Sequence, residues 1–375
     1  MTAYDVAVVG LGAMGSAALM NLARRGARAI GIERFAPGHD NGSSHGETRI
    51  IRLGYFEHPS YVPLLRRAYA LWRELEAECG RPLVHITGIA EIGPADGEVV
   101  AGTLRASQEH GLPHEVLDGE AVMRRFPAFR IPESYMGVVQ PDGGFLDVEP
   151  SIAAMLALAK SAGAEIRTGE TVRGIKPDGN GVRIETGRGR IEAGTVIVAA
   201  GPWLPKLIAD LPVKLRVTRQ VQAWFHAEDA APFAPGRFPV FLLESRHGVH
   251  YGFPPHGGSG VKIAKHHHAD EAVDPDTVDR TISAADETLI RAALTEHIPA
   301  ANGGLLVAKT CLYTVTPDHD FIIDRLPGAP NVIVASPCSG HGFKFAPVIG
   351  KILGELAIDG ATRHDISRFR LGRFG

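Results

Sequence analysis

The sequence predicts an α/β (α+β) protein in which one discontinuous domain is interrupted twice by segments of a second domain built on an antiparallel sheet. Three observations lead to this fold class. An apolar run, a glycine turn and a helix open the chain, and a second apolar run ending in Ala199-Ala200-Gly201 follows far downstream. The segment 82–141, between these two runs, and the segment 215–303, after the second run, carry alternating strand patterns with many Pro and Gly residues.

The size of the chain is consistent with two domains. With 375 residues, 45% of them hydrophobic, it can bury two cores. We expect the first domain, which is Rossmann-like, to comprise 1–82, 142–213 and 304–375. The second, a substrate-binding and catalytic domain, should comprise 83–141 and 214–303.

The composition excludes several classes of partner. The formal net charge is -3 and no long basic run is present, so a nucleic-acid partner is not expected. The three cysteines are too scattered for a disulfide framework or a zinc site. No basic segment precedes the first apolar run, and no run has the length of a membrane span. We therefore expect a soluble, cytoplasmic protein.

The first element of the chain is a βαβ unit that predicts dinucleotide binding. A strand at Tyr4–Val9 leads into the turn Gly10–Gly15, a helix that stops at Gly26 and a second strand, Ala29–Ile32, followed by Glu33. The glycines permit a tight turn, close approach of backbone N–H groups to a pyrophosphate, and close helix–sheet packing. The Glu33 carboxylate can accept hydrogen bonds from ribose hydroxyls and would repel a 2'-phosphate. NADP is disfavoured, but FAD and NAD both remain possible from this unit.

The later elements favour a flavin fold. We predict a helix at Ser151–Ala162, a strand at Glu165–Thr168 and a hairpin around 177–180. The run Thr195–Gly201 then ends in small residues that allow close approach to a cofactor, and its recurrence is typical of FAD folds. Near the carboxyl terminus, a strand at Val332–Ala335 leads into Ser339–Lys344, a glycine-flanked loop suited to a second anion or ring contact.

At this point the chain resembles a known family along essentially its whole length. It is similar to the monomeric sarcosine oxidase and N-methyltryptophan oxidase family, which has the D-amino-acid-oxidase-like fold. The residues that carry the resemblance are Gly10–Gly15, Gly42–Arg52, Tyr251–Pro254, Thr310–Tyr313, Asp320–Asp324 and Ser339–Phe345. The resemblance implies FAD as cofactor, attached covalently through its 8α-methyl group to Cys311. Without the motif, Cys311 would be interpreted as a buried, inert thiol.

The resemblance also implies roles for individual residues. The expected cofactor-binding set is Gly10, Gly12, Ala13, Met14, Gly15, Glu33, Arg34, Ser43, Thr48, Arg49, Val172, Ala200, Gly201, Trp203, Cys311, Gly340, His341, Gly342, Phe343 and Lys344. The expected catalytic set is Lys262, Arg49, His266, Tyr251, Tyr313 and His45, and the expected substrate-binding set is Arg52, Lys344 and Tyr55.

These roles are physically reasonable. A guanidinium offers planar donors to a substrate carboxylate, and an ammonium adds a point charge from another side. Strand alternation would turn Lys262 away from Val261 and Ile263, and its cation would stabilise superoxide as oxygen is reduced. Taken alone, Arg49, Arg52 and Lys262 would be interpreted as surface cations.

Some features depart from the family pattern or argue against a metal. Ser44, Glu47 and Pro337-Cys338 differ from the residues usual in relatives, and Leu53–His58 predicts a bulkier loop over the substrate.

We expect no metal site, because three successive histidines in a strand, His266–His268, cannot all face one ion.

The sequence therefore predicts a monomeric FAD-dependent oxidase that acts on sarcosine or another N-methyl amino acid with oxygen as acceptor. The products would be hydrogen peroxide, formaldehyde and the primary amino acid. Alternatives are oxidation of N-methyltryptophan or of a cyclic imino acid such as pipecolate or proline. An NAD-linked dehydrogenase and a flavin-binding protein without turnover are further alternatives of a different class.

Overall fold

The computed structural model describes residues 4–375, so the first three residues of the expected segment 1–82 lie outside the described residues. The strands within this range are β1 (Tyr4–Val9), β2 (Ala29–Ile32), β3 (Thr48–Ile51), β4 (Val84–Ile86), β5 (Ile89–Pro94), β6 (Glu115–Asp118), β7 (Tyr135–Gln140), β8 (Gly144–Asp147), β9 (Glu165–Arg167), β10 (Val172–Asp178), β11 (Gly181–Thr186), β12 (Gly189–Val198), β13 (Arg216–Phe225), β14 (Val240–Ser245), β15 (Gly248–Phe253), β16 (Val261–Lys265), β17 (Leu305–Val315), β18 (Ile322–Leu326) and β19 (Ala329–Ser336). The α-helices are α1 (Ala13–Arg24), α2 (Val62–Cys79), α3 (Glu98–His110), α4 (Gly119–Arg125), α5 (Val148–Ser161), α6 (Leu204–Leu207), α7 (Ala284–His297) and α8 (Ala346–Asp359).

The first sheet is built on a parallel core. Its strand order is β10-β11-β12-β1-β2-β9. Strand β19 also pairs with β12, and β18 pairs with β19. Strands β9, β2, β1, β12 and β19 are parallel to their neighbours in this core. Helices α1 and α8 pack against it, and α5 packs on α1. Val6 and Val8 of β1 are buried in the same apolar cluster as these helices, and Ala7 and Val9 are buried in a second cluster.

The predicted βαβ unit is confirmed. Strands β1 and β2 have the predicted bounds, and α1 begins at Ala13 and ends at Arg24. Gly10 adopts a φ of +86°, and a Cβ on Gly15 would lie 1.8 Å from the carbonyl oxygen of Gly10. The turn therefore requires glycine at positions 10 and 15, because no larger residue fits there.

The second sheet has the order β17-β13-β16-β15-β14-β5-β7-β6 and is antiparallel except for the β14–β5 pair. Its core contains stacked and edge-to-face rings of Phe129, Phe238 and Phe241. The position of strand β17 differs from the expected domain division, which assigned all of 304–375 to the first domain. It pairs with β13 from Arg216↔Val315 to Phe225↔Leu305, so this long ladder holds it in the second sheet.

A small sheet, β3-β8-β4, completes the architecture. Thr48 pairs with Asp147, and Val84 pairs with Leu146. Strand β4 was expected in the second domain, within 83–141, yet it pairs with β8 in this separate sheet. The predicted fold class, a Rossmann-like domain combined with an antiparallel-sheet domain, is confirmed. Among residues 4–375, no helix has both the length and the apolar character required to cross a bilayer.

Candidate active site

A cavity of about 570 Å³ lies where the first sheet meets the second. Its walls include the carboxyl ends of β1, β2, β12 and β19, together with residues of β3, β14, β15 and β17. Carboxyl ends of parallel strands are the usual position for ligands in such sheets. The cavity therefore joins the cofactor-binding edge of one domain to the face of the other.

The structure brings most of the expected site residues to this cavity. Those that line it are Gly10, Gly12, Ala13, Met14, Glu33, Arg34, Ser43, Arg49, Arg52, Val172, Ala200, Gly201, Trp203, Tyr251, His266, Tyr313, Gly340, His341, Gly342, Phe343 and Lys344. Six expected residues are not in its lining: Gly15, His45, Thr48, Tyr55, Lys262 and Cys311.

Glu33, which follows the last residue of β2, forms a hydrogen bond with the glycine turn. Its carboxylate accepts hydrogen bonds from the backbone N–H groups of Leu11, at 2.8 Å, and Phe35, at 3.0 Å. Burial raises the pKa of Glu33, but His39 and these two amides outweigh it and lower the pKa overall. A charged carboxylate therefore stands beside the N-terminus of α1, as a ribose-binding position requires.

A cluster around Asp276 lines the cavity beside Arg34, the residue that follows Glu33. Trp203 Nε1 and Arg34 donate to Asp276 at 2.8 and 2.6 Å, and the Arg34 guanidinium lies 5.5 Å from the Trp203 ring centroid. Asp276 was not predicted from the sequence, because it lies in a loop of the second domain with no local motif. The cluster ties that loop to the first sheet.

The loop Ser339–Lys344 forms another wall. A Cβ on Gly342 would lie 1.7 Å from the carbonyl oxygen of Pro337, so the loop is as tightly folded as the first glycine turn. Lys344 Nζ donates to the carbonyl oxygen of His341 at 2.7 Å. Burial and the nearby Arg52 lower the pKa of Lys344 to about 7. This ammonium therefore titrates near neutral pH.

Arg52 lies buried at the side of the cavity between two carboxylates. It donates to Glu57 at 2.6 Å and lies 3.5 Å from Glu91. Burial raises the pKa of Glu57, but Arg52 outweighs it and holds the pKa at about 2. Burial raises the pKa of Glu91 to about 7 against the opposing effect of Arg52. The sequence analysis identified neither Glu57 nor Glu91.

Tyr55 differs from its expected role as a substrate contact. It is fully buried, its hydroxyl lies 2.6 Å from Nδ1 of His341, and its ring centroid is 4.3 Å from the guanidinium of Arg52. Its neighbours Phe56 and Glu57 line the cavity instead. Tyr55 thus supports Arg52 and the Ser339–Lys344 loop from behind.

Lys262 is turned away from the core of its own sheet, as strand alternation predicts. Its ammonium donates to the carbonyl oxygens of Gly46, at 2.6 Å, and Thr48, at 2.8 Å, and to the Thr48 hydroxyl at 3.2 Å. Burial and Arg49 lower its pKa. These acceptors match the donors of an ammonium and favour its charged form.

Cys311 lies directly behind the cavity wall. Its sulfur is 3.7 Å from both Arg49 Nη2 and the carbonyl oxygen of Ser43, and both of those residues line the cavity. Burial raises the pKa of the thiol, and Arg49 opposes that shift. The guanidinium is thus the group that would favour a thiolate here.

The histidine run does not form a strand, so that part of the sequence prediction is wrong. Strand β16 ends at Lys265, and His267 and His268 have positive φ values of 59° and 34° in the turn that follows. This turn separates the rings. His266 faces the cavity with its Nδ1 3.4 Å from the Tyr313 hydroxyl, whereas His268 pairs with Asp286 at 2.8 Å.

His45 and His266 are both neutral imidazoles at neutral pH. Burial and Arg49 lower the pKa of His45 to about 3, and burial and His267 lower the pKa of His266 well below its ordinary value. Neither ring nitrogen of His45 has a hydrogen-bond partner within residues 4–375. His45 therefore supports the wall beside Arg49 without adding charge.

A protein-family model described as FAD dependent oxidoreductase matches residues 5–356. The chain belongs to this family. The oxidoreductase is 41% identical to a monomeric sarcosine oxidase from Streptomyces avermitilis over 98% of this chain and 96% of the relative. It is 38% identical to an N-methyl-L-tryptophan oxidase from Salmonella arizonae over 99% of both chains. The resemblance found in the sequence is confirmed.

The solved structures give the same fold. NikD, described as an unusual amino acid oxidase essential for nikkomycin biosynthesis, superimposes on this oxidoreductase with a TM-score of 0.87 at 29% identity, covering 99% of this chain and 98% of that one. An L-proline dehydrogenase from P. horikoshii has a TM-score of 0.86 at 23% identity, covering 100% of this chain and 98% of that one. At that identity the second likeness concerns the fold alone.

The residues present in this oxidoreductase fit FAD. A Cβ on Gly10 would lie 2.6 Å from the carbonyl oxygen of Ala199, so the turn carries no side chain there. The backbone N–H groups at the N-terminus of α1 are suited to a phosphate. Glu33 offers its carboxylate at the adjacent ribose position. The same cavity continues from Glu33 to Arg49 and Lys344, which gives an elongated cofactor one continuous site.

Proposed function

We propose that this FAD-dependent oxidoreductase is an oxidase of secondary amino acids, with sarcosine or another N-methyl amino acid as substrate. The reaction consumes the amine, oxygen and water, and it releases the primary amino acid, formaldehyde and hydrogen peroxide. FAD supplies the hydride acceptor and returns the electrons to oxygen. The observation that carries the proposal is the pair of buried cations, Arg52 and Lys344, at the end of the cavity opposite Glu33.

The two cations bind the substrate carboxylate. Arg52 presents a planar set of N–H donors, and Lys344 supplies a compact charge from the Ser339–Lys344 loop. Glu57 already pairs with Arg52 at 2.6 Å, so the substrate carboxylate competes with a carboxylate of the protein. A substrate without a carboxylate gains nothing from either cation.

The remaining walls orient the amine and its substituents. His266, Tyr251 and Tyr313 are neutral polar groups, and the uncharged His266 imidazole keeps a nitrogen lone pair that can accept a hydrogen bond from the amine. Ile50, Phe56, Leu242 and Val249 form an apolar surface of the same cavity, and Tyr251 packs against this surface. That surface suits an N-methyl group, and it also suits the larger substituent of N-methyltryptophan or a cyclic imino acid.

Two residues behind the wall have roles in the cofactor chemistry. Lys262 holds a positive charge next to Thr48, where it stabilises negative charge that develops on oxygen. Cys311 is the attachment point for the flavin, supported by the 3.7 Å approach of Arg49 to its sulfur. Thr48 positions Lys262, and Ser43 positions Arg49 through its carbonyl oxygen at 2.9 Å.

An anaerobic titration tests the proposal. Sarcosine, N-methyl-L-tryptophan, L-pipecolate and L-proline are added separately to the yellow holoenzyme, and loss of flavin absorbance reports reduction. At least one should bleach the flavin, and dimethylamine, which is sarcosine without its carboxylate, should not. Peroxide and formaldehyde are then measured in air. Dimethylamine that reduces the flavin as well as sarcosine would exclude carboxylate recognition, and failure of all four amino acids would exclude the proposed substrate class.

A further inference from the structure

A cluster of two imidazoles and one carboxylate lies outside the cavity. His85 is in β4, Asp147 is the last residue of β8, and His256 follows β15. Nε2 of His85 is 2.9 Å from one carboxylate oxygen of Asp147, and Nε2 of His256 is 2.9 Å from the other. The donor atoms all lie within 4.8 Å of one another. Three segments far apart in the chain thus direct ligand-type atoms to one point.

The carboxylate of Asp147 does not cap helix α5, although its position predicts that it would. Asp147 is the N-cap residue of α5, and an aspartate there ordinarily accepts a hydrogen bond from a backbone N–H of the first helical turn. Here the side chain makes no such bond and instead faces the two imidazoles. In the part of the chain that the structure describes, neither ring makes a hydrogen bond to any residue but Asp147.

The aromatic ring of Phe145 fixes both imidazoles. It stacks on His85 at a centroid distance of 4.7 Å with an interplanar angle of 20°, and it meets the His256 ring edge-on at 4.8 Å. Phe145 itself is buried. The positions of the two Nε2 atoms are therefore set before any ligand arrives, which reduces the entropy lost on binding.

We propose that His85, Asp147 and His256 form a binding site for a divalent transition-metal cation of the zinc type. Two imidazole nitrogens and one carboxylate oxygen suit zinc and its neighbours, whereas magnesium and calcium require more oxygen ligands. Zinc ligands in a tetrahedral site lie roughly 3.3 Å apart. The 2.9 Å contacts would open slightly on binding, and the wider separations among the donor atoms, all within 4.8 Å, would close by side-chain rotation. All three side chains are half-buried, which leaves a coordination position for water.

The exchange of hydrogen bonds for metal bonds is balanced. Without metal, one proton lies between each Nε2 and a carboxylate oxygen of Asp147. On binding, each imidazole takes the tautomer with the proton on Nδ1, so that its Nε2 lone pair faces the cation. No oxidant or reductant is consumed.

The site would fasten the small sheet to the second domain. His85 and Asp147 belong to β4 and β8, whereas His256 comes from the loop after β15 of the second sheet. The metal therefore bridges two sheets outside the cavity. Since a cation that binds only the folded protein stabilises it by mass action, the melting temperature should rise with metal concentration.

The test uses the untagged holoenzyme, freed of metal with a chelator and then dialysed. Calorimetric titration with Zn²⁺ should give one saturable site per chain, accompanied by a higher Tm. His85→Ala, His256→Ala and Asp147→Asn should each raise Kd at least tenfold, about 1.4 kcal/mol, and remove the Tm increase. His226→Ala, at an exposed histidine elsewhere, is the control and should bind like wild type.

A second measurement protects the test against variants that fold poorly. Co²⁺ bound to nitrogen and oxygen ligands has visible ligand-field bands at wavelengths beyond the flavin absorption, and these should appear in wild type and disappear in His256→Ala, whose changed residue lies in a loop. The absence of saturable Zn²⁺ binding in wild type would overturn the proposal. So would undiminished binding or unchanged Co²⁺ bands in a correctly folded ligand variant.

Discussion

Arg52 donates to Glu57 at 2.6 Å, so a carboxylate of the protein occupies part of the position proposed for the substrate carboxylate. The same guanidinium lies 3.5 Å from Glu91 on its other side. Removing Arg52 would leave both carboxylates without their cation inside the protein, which costs roughly 3 to 5 kcal/mol of folding stability for a buried pair. Variants of the two glutamates therefore test carboxylate recognition more cleanly than Arg52→Ala does.

Glu57→Gln should tighten the binding of an N-methyl amino acid. The amide keeps an oxygen acceptor for Arg52 but removes the negative charge that competes with the substrate, so we expect Kd to fall roughly tenfold. Anaerobic titration of the flavin absorbance measures it. Binding of an amine without a carboxylate is the control and should change little. Weaker binding of the amino acid in Glu57→Gln would contradict competition between the two carboxylates.

Glu91→Gln should weaken the pH dependence of carboxylate binding. Burial raises the pKa of Glu91 to about 7, and a bound anion near Arg52 favours its protonated form. In wild type, Kd for propionate, an acid without an amine, should therefore rise as the pH increases through 7. Lys344 loses its charge over the same range and acts in the same direction, because burial and Arg52 lower its pKa to about 7.

The two contributions can be separated. Glu91→Gln retains only the Lys344 contribution, and Lys344→Arg, whose charge is permanent, retains only that of Glu91. Each variant should show a shallower rise of Kd on the alkaline side of pH 7 than wild type. Glu57 and Tyr55 also face Arg52. The pKa of Glu57, about 2, keeps it charged throughout, and burial raises the pKa of Tyr55, which keeps it neutral. Identical pH profiles in wild type and Glu91→Gln would refute a role for Glu91.

Lys262→Met should slow the reaction of the reduced flavin with oxygen. The ammonium stabilises negative charge only when it forms on oxygen, so reduction of the flavin by substrate should be largely intact. We expect reoxidation to be slower by roughly 10² to 10³-fold, as measured by stopped-flow mixing with oxygen. Lys265→Met, in the same strand but partly exposed, is the matched control. Equal reoxidation rates in Lys262→Met and wild type would exclude the role.

Cys311→Ala should release FAD when the protein is precipitated with acid. The wild-type pellet should stay yellow because a thioether survives the treatment, whereas the variant should leave its flavin in the supernatant. Cys338→Ala, which lines the cavity but was not expected to bond the flavin, should behave like wild type. Colour in the wild-type supernatant would show that Cys311 carries no covalent link.

The sequence predicted best where the chemistry is local. Gly10–Gly15 and Glu33 lie within one βαβ unit, so the spacing itself indicates the turn, the helix terminus and the carboxylate at the end of β2. Lys262 was placed on the correct face by simple alternation along β16. These features depend on neighbours within a few residues, and backbone geometry determines them.

Features that depend on tertiary contacts were not predicted from the sequence. Glu91 occupies one position in an otherwise apolar strand, and nothing near it in the chain indicates that it faces Arg52. The histidine run was assigned to a strand because its two positive φ angles carry no pattern that a lone sequence displays. His85, Asp147 and His256 meet only because β4, β8 and the loop after β15 converge in space.

The position of β12 between β1 and β19 has a consequence for synthesis on the ribosome. Strand β1 is translated first, but the core of its sheet is incomplete until β19, near the carboxyl terminus, pairs with β12. Cys311 and the Ser339–Lys344 loop also emerge late. A nascent chain therefore has to keep its first apolar strands from aggregating until β19 has been made. We expect cofactor capture to wait for the synthesis of Cys311 and the Ser339–Lys344 loop, long after the glycine turn has been made.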